Sequence, residues 1–293
     1  MLFNMKQLLN KAAEGSWAVG SFSVANLEMV LGIIKAAEET NSPIILQIAE
    51  VRLKQSPLEI FGPLMVAAAK NSKVPVAVHF DHGKTLEKIK LALDLGFTSV
   101  MYDGSHLTLD ENICMTNKTV ELAKQYGAAV EAEIGCVGGS EDGSEDIAIN
   151  CTSPADAVRF CKETDVDALV IAIGNAHGNY KETPHLRFDI LNEVKNSVHL
   201  PLVLHGGTGI LPEEFIKCRE NGIKKINIAT ATFDSVEASA RNAYNNSQIK
   251  GYYDLHSAEI EGAYLNAMKH IEIFDCSDKA ELFNNGGNKN ELL

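Results

Sequence analysis

The sequence predicts an α/β protein: a (β/α)8, or TIM, barrel with extra helices at its C-terminal end. Three observations support this fold. Eight short apolar runs alternate with helical patterns along 293 residues, a length that suits one large barrel. Polar residues follow six successive runs, and no linker or longer internal repeat divides the chain. A doubly wound open sheet is the alternative, but it needs a switch point and usually has fewer strands.

The predicted elements follow one another in a regular order. Apolar, β-branched runs predict strands at 18–24, 43–49, 74–80, 97–102, 128–134, 168–173, 200–205 and 223–229. Helical periodicity predicts helices at 26–40, 111–126 and 153–164, the last with Ser153 as N-cap and Pro154 in its first turn. Residues 1–283 are expected to form one domain, and 284–293, rich in Gly and Asn, a mobile polar tail.

Composition and charge argue against several classes of protein: secreted, membrane-spanning and nucleic-acid-binding. Charged residues near the start, including Lys6 and Lys11, indicate an amphipathic helix rather than a signal peptide, and no apolar run approaches the ~20 residues of a membrane span. The net charge of −13 argues against nucleic-acid binding. Six cysteines without C-x-x-C spacing are typical of reduced thiols. We therefore expect a cytoplasmic protein with no nucleic-acid or membrane partner.

Polar residues stand where a barrel of this kind carries its chemistry, at the C-terminal ends of strands. In chain order these are Asp81 and His82, Asp103, Glu133, His177, His205 and Asn227. Three neutral imidazoles with an open position are a ligand set for catalytic zinc, so His82, His177 and His205 are the candidate ligands. For any single one of them, a histidine hydrogen-bonded at a loop start is the alternative. His79 is predicted to be a packed or supporting residue, and we expect the remaining histidines, His106, His185, His199, His256 and His270, at the surface.

Glycine-rich loops predict an anion site beside these residues. The segment "HGGTGI" (205–210) follows strand seven, and "NIAT" (227–230) leads into a helix whose N-terminus favours negative charge. Loops after strands seven and eight commonly bind phosphate in such barrels, although glycine also serves plain tight turns. In the loop after strand five, Glu141 beside a glycine pair is a candidate mobile acid/base, whereas Asp142, Glu145 and Asp146 are expected to be solvated.

Taken together, the motifs resemble those of the class II, metal-dependent ketose-bisphosphate aldolases, the fructose- and tagatose-bisphosphate aldolase family. The matching segments are "HFDHG" (79–83), "SVMYDGSH" (99–106), "VEAEIGCVGG" (130–139), "AHGNYK" (176–181), "PLVLHGGTGI" (201–210) and "KINIAT" (225–230). They occur in family order over about residues 1 to 245. The resemblance implies reversible retro-aldol cleavage of a phosphorylated ketose to dihydroxyacetone phosphate and an aldehyde. It also implies a homodimer or homotetramer.

The resemblance assigns a role to each candidate residue. His82, His177 and His205 would ligate catalytic Zn2+, with Glu133 as a metal-site carboxylate and Asp103 at an auxiliary cation position. Asp81 would be the acid/base at the C4 hydroxyl, and Glu141 would move the proton next to the carbonyl. The implied phosphate and substrate residues are Gly178, Lys181, Gly206, Gly207, Thr208, Asn227, Ala229 and Thr230. Gly178 and Gly206 would also ligate a monovalent cation, Na+ or K+.

The sequence does not decide which chemical group the substrate carries at the end distal to its C1-phosphate. Bisphosphate members supply an arginine from the C-terminal helices, but Gly262 stands near that position and no arginine follows Arg241. Arg52 and Lys54 after strand two are candidates for reading a distal carboxylate or phosphate; a solvated basic loop is the alternative. The alternatives are therefore an aldolase for a ketose-1-phosphate or phosphorylated keto-sugar acid and, from another class, a non-catalytic accessory barrel. A lysine Schiff base is rejected, since the strand lysines, Lys224 and Lys225, begin strand eight.

Overall fold

The computed structural model describes residues 1–140, 147–180 and 184–283. Eight parallel strands form a closed barrel in sequence order, with the last strand paired to the first. The strands are β1 (Val19–Ser23), β2 (Ile44–Ala49), β3 (Val76–Gly83), β4 (Ser99–Tyr102), β5 (Ala129–Ile134), β6 (Ala168–Ile171), β7 (Leu202–Leu204) and β8 (Ile223–Ile228). All eight overlap the predicted runs, so the predicted (β/α)8 barrel is confirmed.

Helices surround the barrel, one helix precedes the first strand, and two long helices follow the last strand. They are α1 (Met5–Ala13), α2 (Leu27–Glu39), α3 (Leu58–Asn71), α4 (Leu86–Asp94), α5 (Leu109–Lys124), α6 (Pro154–Glu163), α7 (Phe188–Ser197), α8 (Pro212–Glu220), α9 (Thr230–Asn245) and α10 (Tyr252–Ile273). Short 3-10 helices span Glu50–Lys54 and Lys279–Phe283. Ser153 caps α6 with Pro154 in the first turn, as predicted. The C-terminal helix α10 packs against α2 and α9.

The barrel strands are buried on both faces, as parallel strands covered by helices must be. Every residue of the eight strands is buried, and most are Val, Ile, Leu or Ala. The amphipathic helix α1 lies at the N-terminal end of the barrel, where Phe3 N–H donates to Val76 O at the start of β3. The opposite, C-terminal end of the barrel is therefore the open one.

An irregularity in β3 changes the direction of its last residues. Phe80 pairs with Val100, but the next pair along β4 is Gly83 with Tyr102, so β3 carries one extra residue. His82 within this bulge has φ +46°, in the left-handed region. Strand β3 consequently continues three residues beyond the predicted end at residue 80. Regular alternation would send Asp81 and His82 to opposite faces, whereas the bulge brings both into the mouth of the barrel.

Other expectations have mixed outcomes. His270, expected at the surface, is buried in α10 between Phe215 and Phe274, and that prediction was wrong. His256 is only half-buried and pairs with Glu28 at 2.7 Å. The predicted tail at 284–293 lies outside the described residues, and a single domain over 1–283 stays a prediction. Among the helices that the structure describes, none combines the length and apolar character needed to cross a membrane.

Candidate active site

Three histidine side chains converge at the C-terminal mouth of the barrel. Nε2 of His82 lies 3.0 Å from Nδ1 of His205. One ring nitrogen from each of His82, His177 and His205 falls within 4.8 Å of the others, and the ring centroids are 4.7–5.9 Å apart. They come from β3 and from the loops after β6 and β7. The structure thus brings the three predicted residues together, and the donor set fits a metal ion with an open coordination position.

The loop carrying His177 is fixed by the loop after β5. His177 N–H donates to Gly138 O at 2.7 Å, and Gly138 forms a parallel bridge with Ala176. Gly206 approaches the same segment from the other side: its φ is +64°, and a Cβ there would lie 2.1 Å from Ala176 O. The two metal-site loops therefore touch at a position that only glycine fits.

Carboxylates hold two of the imidazoles from behind. His82 Nδ1 lies 2.8 Å from Asp103 Oδ2, and His205 Nε2 lies 2.9 Å from Glu131 Oε1. Ser105 donates its backbone N–H and its hydroxyl to the other oxygen of Asp103, at 3.1 and 2.7 Å. Histidine–carboxylate pairs of this kind fix the ring orientation and the tautomer of metal ligands.

The surroundings of the His82–Asp103 pair favour the charged form of both groups, positive for the imidazole and negative for the carboxylate. Burial alone would lower the pKa of His82, but the charge of Asp81 and the hydrogen bond to Asp103 raise it well above its usual value. Burial opposes ionisation of Asp103 in the same way. The hydrogen bonds from His82 and Ser105 nevertheless hold its pKa well below the usual range.

Glu133 is a further oxygen donor at this centre. Its Oε1 accepts from Val137 N–H at 2.9 Å, while Oε2 lies 3.8 Å from His205 Nδ1. Burial, followed by the negative charge of Asp103, raises the pKa of Glu133 to about 7. Together with His82 and Asp103 it forms a second donor group that overlaps the three-histidine group. The structure places Glu133 and Asp103 beside the histidines, and their role at a metal site stays a prediction.

Asp81 lies beside the histidines but is held by amides. Gln47 Nε2 donates to Asp81 Oδ2 at 2.9 Å, and Asn227 Nδ2 lies 3.3 Å from Oδ1. Gln47 is held in turn by two serines of β1, Ser21 and Ser23. The carboxylate is thereby oriented by neutral donors, an environment that suits a proton-transfer group.

The predicted phosphate residues fall into two groups. The hydroxyl of Thr208 accepts from Ala231 N–H at 3.0 Å in the first turn of α9, and Ala229, the N-cap, supplies no side-chain cap. Gly178, Gly206, Ala229 and Thr230 lie on the loops and helix start around this turn. By contrast, Asn227 faces Asp81, and Gly207 N–H donates to Asn227 O at 3.2 Å. Glu141 and Lys181 lie outside the described residues.

Arg52 and Gly262 have clear places in the structure. Arg52 follows β2, and its guanidinium carbon lies 5.1 Å from the ring centre of Phe233, in the first turn of α9. This contact joins the loop after β2 to the helix after β8, two strands that flank β1 in the barrel. Gly262 packs α10 against α9: a Cβ there would meet Ser235 O and Val236 Cα at 2.6 Å. A larger residue at 262 does not fit this packing.

Two residues that hold the candidate site residues were not predicted from the sequence, and a third was considered only in another role. Gln47 and Glu131 were not identified, and Lys225 was considered only as a Schiff-base lysine, yet all three are fully buried in the barrel interior. His79, predicted to be a supporting residue, is also buried there, with Nδ1 2.9 Å from Ser99 Oγ. The available signal was the two-residue strand period: Glu131 precedes Glu133, and Lys225 precedes Asn227, on the same face.

Known proteins resemble this chain over most of its length. A sequence model described as "Fructose-bisphosphate aldolase class-II" matches residues 3–279. A fructose-bisphosphate aldolase of Geobacillus stearothermophilus is 41% identical over 78% of this chain and 81% of its own. One from Staphylococcus aureus (strain Mu50) is 40% identical over 86% of this chain and 89% of its own. The crystal structure of the YdjI aldolase from Escherichia coli K12 superposes with a TM-score of 0.86 at 31% identity, covering 96% of this chain and all of that one.

Proposed function

The chain belongs to the class II fructose-bisphosphate aldolase family and is an aldolase of the lyase class, and we propose that it is zinc-dependent and cleaves a phosphorylated ketose reversibly to dihydroxyacetone phosphate and an aldehyde. The observation that carries this proposal is the convergence of His82, His177 and His205, with Asp81 beside them. A scaffold or accessory subunit has no need of a buried, oriented carboxylate at this point.

The metal-dependent character of the family agrees with the residues at the mouth. Three imidazoles, two of them held by carboxylates, suit a divalent ion, and we propose Zn2+. When bound, the ion supplies Lewis-acid stabilisation of the negative charge that develops on the substrate's carbonyl oxygen. The chain's part is to fix the three ring directions and to keep Glu133 and Asp103 near as further oxygen donors. A monovalent cation, Na+ or K+, near Gly178 and Gly206 is a further part of the proposal.

Asp81 is proposed to be the acid/base. In the cleavage direction it takes the proton of the C4 hydroxyl as the bond between C3 and C4 breaks, and in condensation it returns that proton to the aldehyde oxygen. Gln47 and Asn227 hold both of its oxygens, so the carboxylate needs no reorientation. Oδ1 of Asn227 is buried, with no hydrogen-bond partner in the part of the chain that the structure describes, and can accept from a substrate hydroxyl. Glu141 stays our candidate for the proton at the carbon next to the carbonyl.

The phosphate of the dihydroxyacetone phosphate half is assigned to the loops after β6, β7 and β8. Within the first turn of α9 the Ala231 N–H donates to Thr208 Oγ1 and the Thr232 N–H donates to Ala229 O, so the contribution of this turn to a phosphate site is chiefly the positive end of the helix dipole. Helix N-termini favour bound phosphate in this way. Thr208 already bridges the β7 loop to this turn, so both loops meet at one anion site. Lys181 remains a candidate for its positive charge.

A second substrate class is favoured by the far end of the site. The close packing at Gly262 excludes an arginine at that position of α10, whereas Arg52, in the loop after β2, lies near Phe233 at the start of α9. A ketose-1-phosphate, or a phosphorylated keto-sugar acid whose carboxylate Arg52 reads, is therefore the alternative to a fructose- or tagatose-bisphosphate. A homodimer or homotetramer and a cytoplasmic location stay predictions.

Two assays test these proposals. Retro-aldol activity is measured by coupled reduction of dihydroxyacetone phosphate, before and after exhaustive chelation and after return of Zn2+. Activity that survives complete metal removal would refute the zinc proposal.

The second assay compares bisphosphate, monophosphate and keto-acid ketoses with wild type, Arg52→Ala and, as the matched control from the same loop, Lys54→Ala. We expect Arg52→Ala alone to raise KM for substrates with a distal anion. An unchanged distal-group preference would eliminate the role of Arg52.

A further inference from the structure

Two residues of opposite charge are buried inside the barrel beneath the three histidines. Lys225 of β8 places Nζ 3.0 Å from Oε1 and 2.9 Å from Oε2 of Glu131, which lies on β5. Both side chains are fully excluded from solvent. The same Oε1 also lies 2.9 Å from His205 Nε2. A continuous chain of contacts thus runs from the ammonium group through the carboxylate to a candidate metal ligand.

Stability alone does not explain this pair. The interior of such barrels is normally filled by Val, Ile and Leu. Replacing a buried ion pair by apolar residues of similar volume is often neutral or stabilising, because burial strips both charges of water. The requirements of the fold alone therefore give no reason for a charged pair at Lys225 and Glu131. Their common neighbour, His205, indicates what they do instead.

The second histidine–carboxylate pair offers a direct comparison. Asp103, behind His82, lies near the mouth and is anchored by the N–H and hydroxyl of Ser105. Glu131, behind His205, lies deeper, and its nearest cationic group is Lys225. Both carboxylates therefore have an anchor as well as a histidine: a serine for the shallow one and an ammonium group for the deep one.

The consequence for His205 is a fixed orientation and tautomer. A carboxylate accepts hydrogen bonds, so Glu131 keeps a proton on Nε2 of His205. The lone pair is then on Nδ1, which faces His82 Nε2 at 3.0 Å and Glu133 Oε2 at 3.8 Å, on the metal side of the ring. Removing the ammonium group leaves the buried carboxylate without its compensating charge, so it no longer holds the ring in this way.

We propose that Lys225 is a positioning residue that acts through Glu131 to hold His205 ready to bind metal. This inference rests on the proposed metal site. It gives a role to a buried lysine that takes no part in covalent catalysis, and it assigns a distinct part to each of the neighbouring lysines of β8. Lys224 points away from the barrel interior and donates to Gly15 O at 2.6 Å, outside this network.

The test measures Zn2+ affinity by competition with a chromophoric chelator in a double-mutant cycle. The proteins are wild type, Lys225→Met, Glu131→Gln and the double variant, with Lys224→Met as the matched control and Lys225→Arg as the conservative variant. Loss of an outer partner of a metal ligand typically weakens metal binding about 10- to 100-fold. We expect Lys225→Met to lose Zn2+ affinity by this factor. Adding Lys225→Met to Glu131→Gln should change the affinity by less than about threefold, because the two residues act together. Lys225→Arg should bind Zn2+ about as tightly as wild type.

A spectroscopic readout separates positioning from a general loss of packing. Imidazole 15N spectra of the metal-free protein, with the His205 signals identified by His205→Asn, report which ring nitrogen carries the proton. Lys225→Met should reduce the Nε2-protonated form of His205, and Lys224→Met should not.

The outcomes divide cleanly. Wild type that binds no Zn2+ overturns the proposed function and this inference together. Two results would overturn this inference alone, given a wild type that binds Zn2+. One is that Lys225→Met binds Zn2+ as tightly as wild type; the other is that adding Lys225→Met to Glu131→Gln lowers the affinity as much as it does in wild type. If Lys225→Met does not fold, the charge-neutral double variant and Lys225→Arg decide. The proposal is supported if Lys225→Arg binds Zn2+ about as tightly as wild type and the double variant binds it as weakly as Glu131→Gln. Any other result contradicts the proposal.

Discussion

Nε2 of His82 lies 3.0 Å from Nδ1 of His205, although His82 is in β3 and His205 follows β7 on the opposite side of the barrel. Each ring is held at its other nitrogen by a carboxylate, Asp103 for His82 and Glu131 for His205. The point that both inner nitrogens face is therefore defined by the outer partners as well as by the histidines. Metal affinity should therefore depend on Asp103 and Glu131 as well as on the histidines that they hold.

Asp103→Asn is expected to weaken Zn2+ binding about 10- to 100-fold. One oxygen of Asp103 faces His82 Nδ1 and the other accepts two hydrogen bonds from Ser105, so both positions require an acceptor. An amide places its NH2 group against one of these donors. Chelator competition measures the change, and Asp110→Asn, at an exposed position at the start of α5, is the control. Equal affinity in Asp103→Asn and wild type would mean that Asp103 does not support His82.

Asp81→Asn should keep the metal and lose the reaction. Its carboxylate accepts hydrogen bonds from Gln47 and Asn227. The NH2 group of an asparagine would face one of these two donors, a local change that we expect to leave the three histidines in place. Because an amide cannot take the C4 hydroxyl proton, we expect kcat to fall by about 10² to 10⁴. Metal content by elemental analysis and kcat are measured on the same samples. A variant that loses Zn2+ along with activity would instead make Asp81 a ligand.

The fold was predictable because the strand–helix period and buried, β-branched runs are local features of the sequence. The candidate metal ligands were predictable because each stands at or after the C-terminal end of a strand, and parallel strands bring these ends together. The bulge in β3 was not, since nothing in "HFDHG" states that one residue is unpaired with β4. Regular alternation would have separated Asp81 from His82.

The residues behind the site were harder to predict because their partners come from distant strands. Gln47 meets Asp81 across the β2–β3 boundary, and Glu131 meets Lys225 across the barrel interior. His270 was misjudged for a similar reason: α10 packs against α2, α8 and α9, so an amphipathic pattern does not describe its exposure. The positions of Glu141 and Lys181, taken from the family resemblance, remain predictions.

Gly206→Ala is expected to destabilise the protein and to weaken metal binding together. The left-handed conformation costs a non-glycine residue about 1 to 3 kcal/mol, and the added Cβ also meets Ala176 O at 2.1 Å. Ala176 precedes His177 and Gly206 follows His205, so any shift moves two candidate ligands. Gly127→Ala is the matched control, because Gly127 has φ +66° and a Cβ there would have no atom of the described residues within 4 Å.

The two glycine variants are compared by free energy of unfolding in urea and by Zn2+ affinity. Gly127→Ala should show the conformational cost alone and bind Zn2+ normally. Gly206→Ala should lose more stability than Gly127→Ala and bind Zn2+ more weakly. Equal losses in the two variants would show that the loops after β6 and β7 are not held by this contact.

His270 should make the stability of the protein depend on pH on the acid side. Burial, reinforced by the charge of Lys269 and opposed by the hydrogen bond to Asn266, lowers its pKa from 6.5 to about 4. Above pH 6.5 the ring is neutral in folded and unfolded chains, so it adds no pH dependence there. As pH falls from about 6.5 to 4 only the unfolded chain gains the proton, and stability is lost.

From pH 7.5 to pH 5, His270 alone should cost about 2 kcal/mol of unfolding free energy, at 1.36 kcal/mol per pKa unit. His270→Gln has no group that titrates there, and its amide can still donate to Asn266 O, which His270 Nδ1 approaches at 2.8 Å. Urea unfolding at the two pH values should therefore show a smaller loss in His270→Gln than in wild type. His199→Gln, at an exposed position, is the control and should behave as wild type. The same loss in all three proteins would mean that His270 takes up its proton without unfolding.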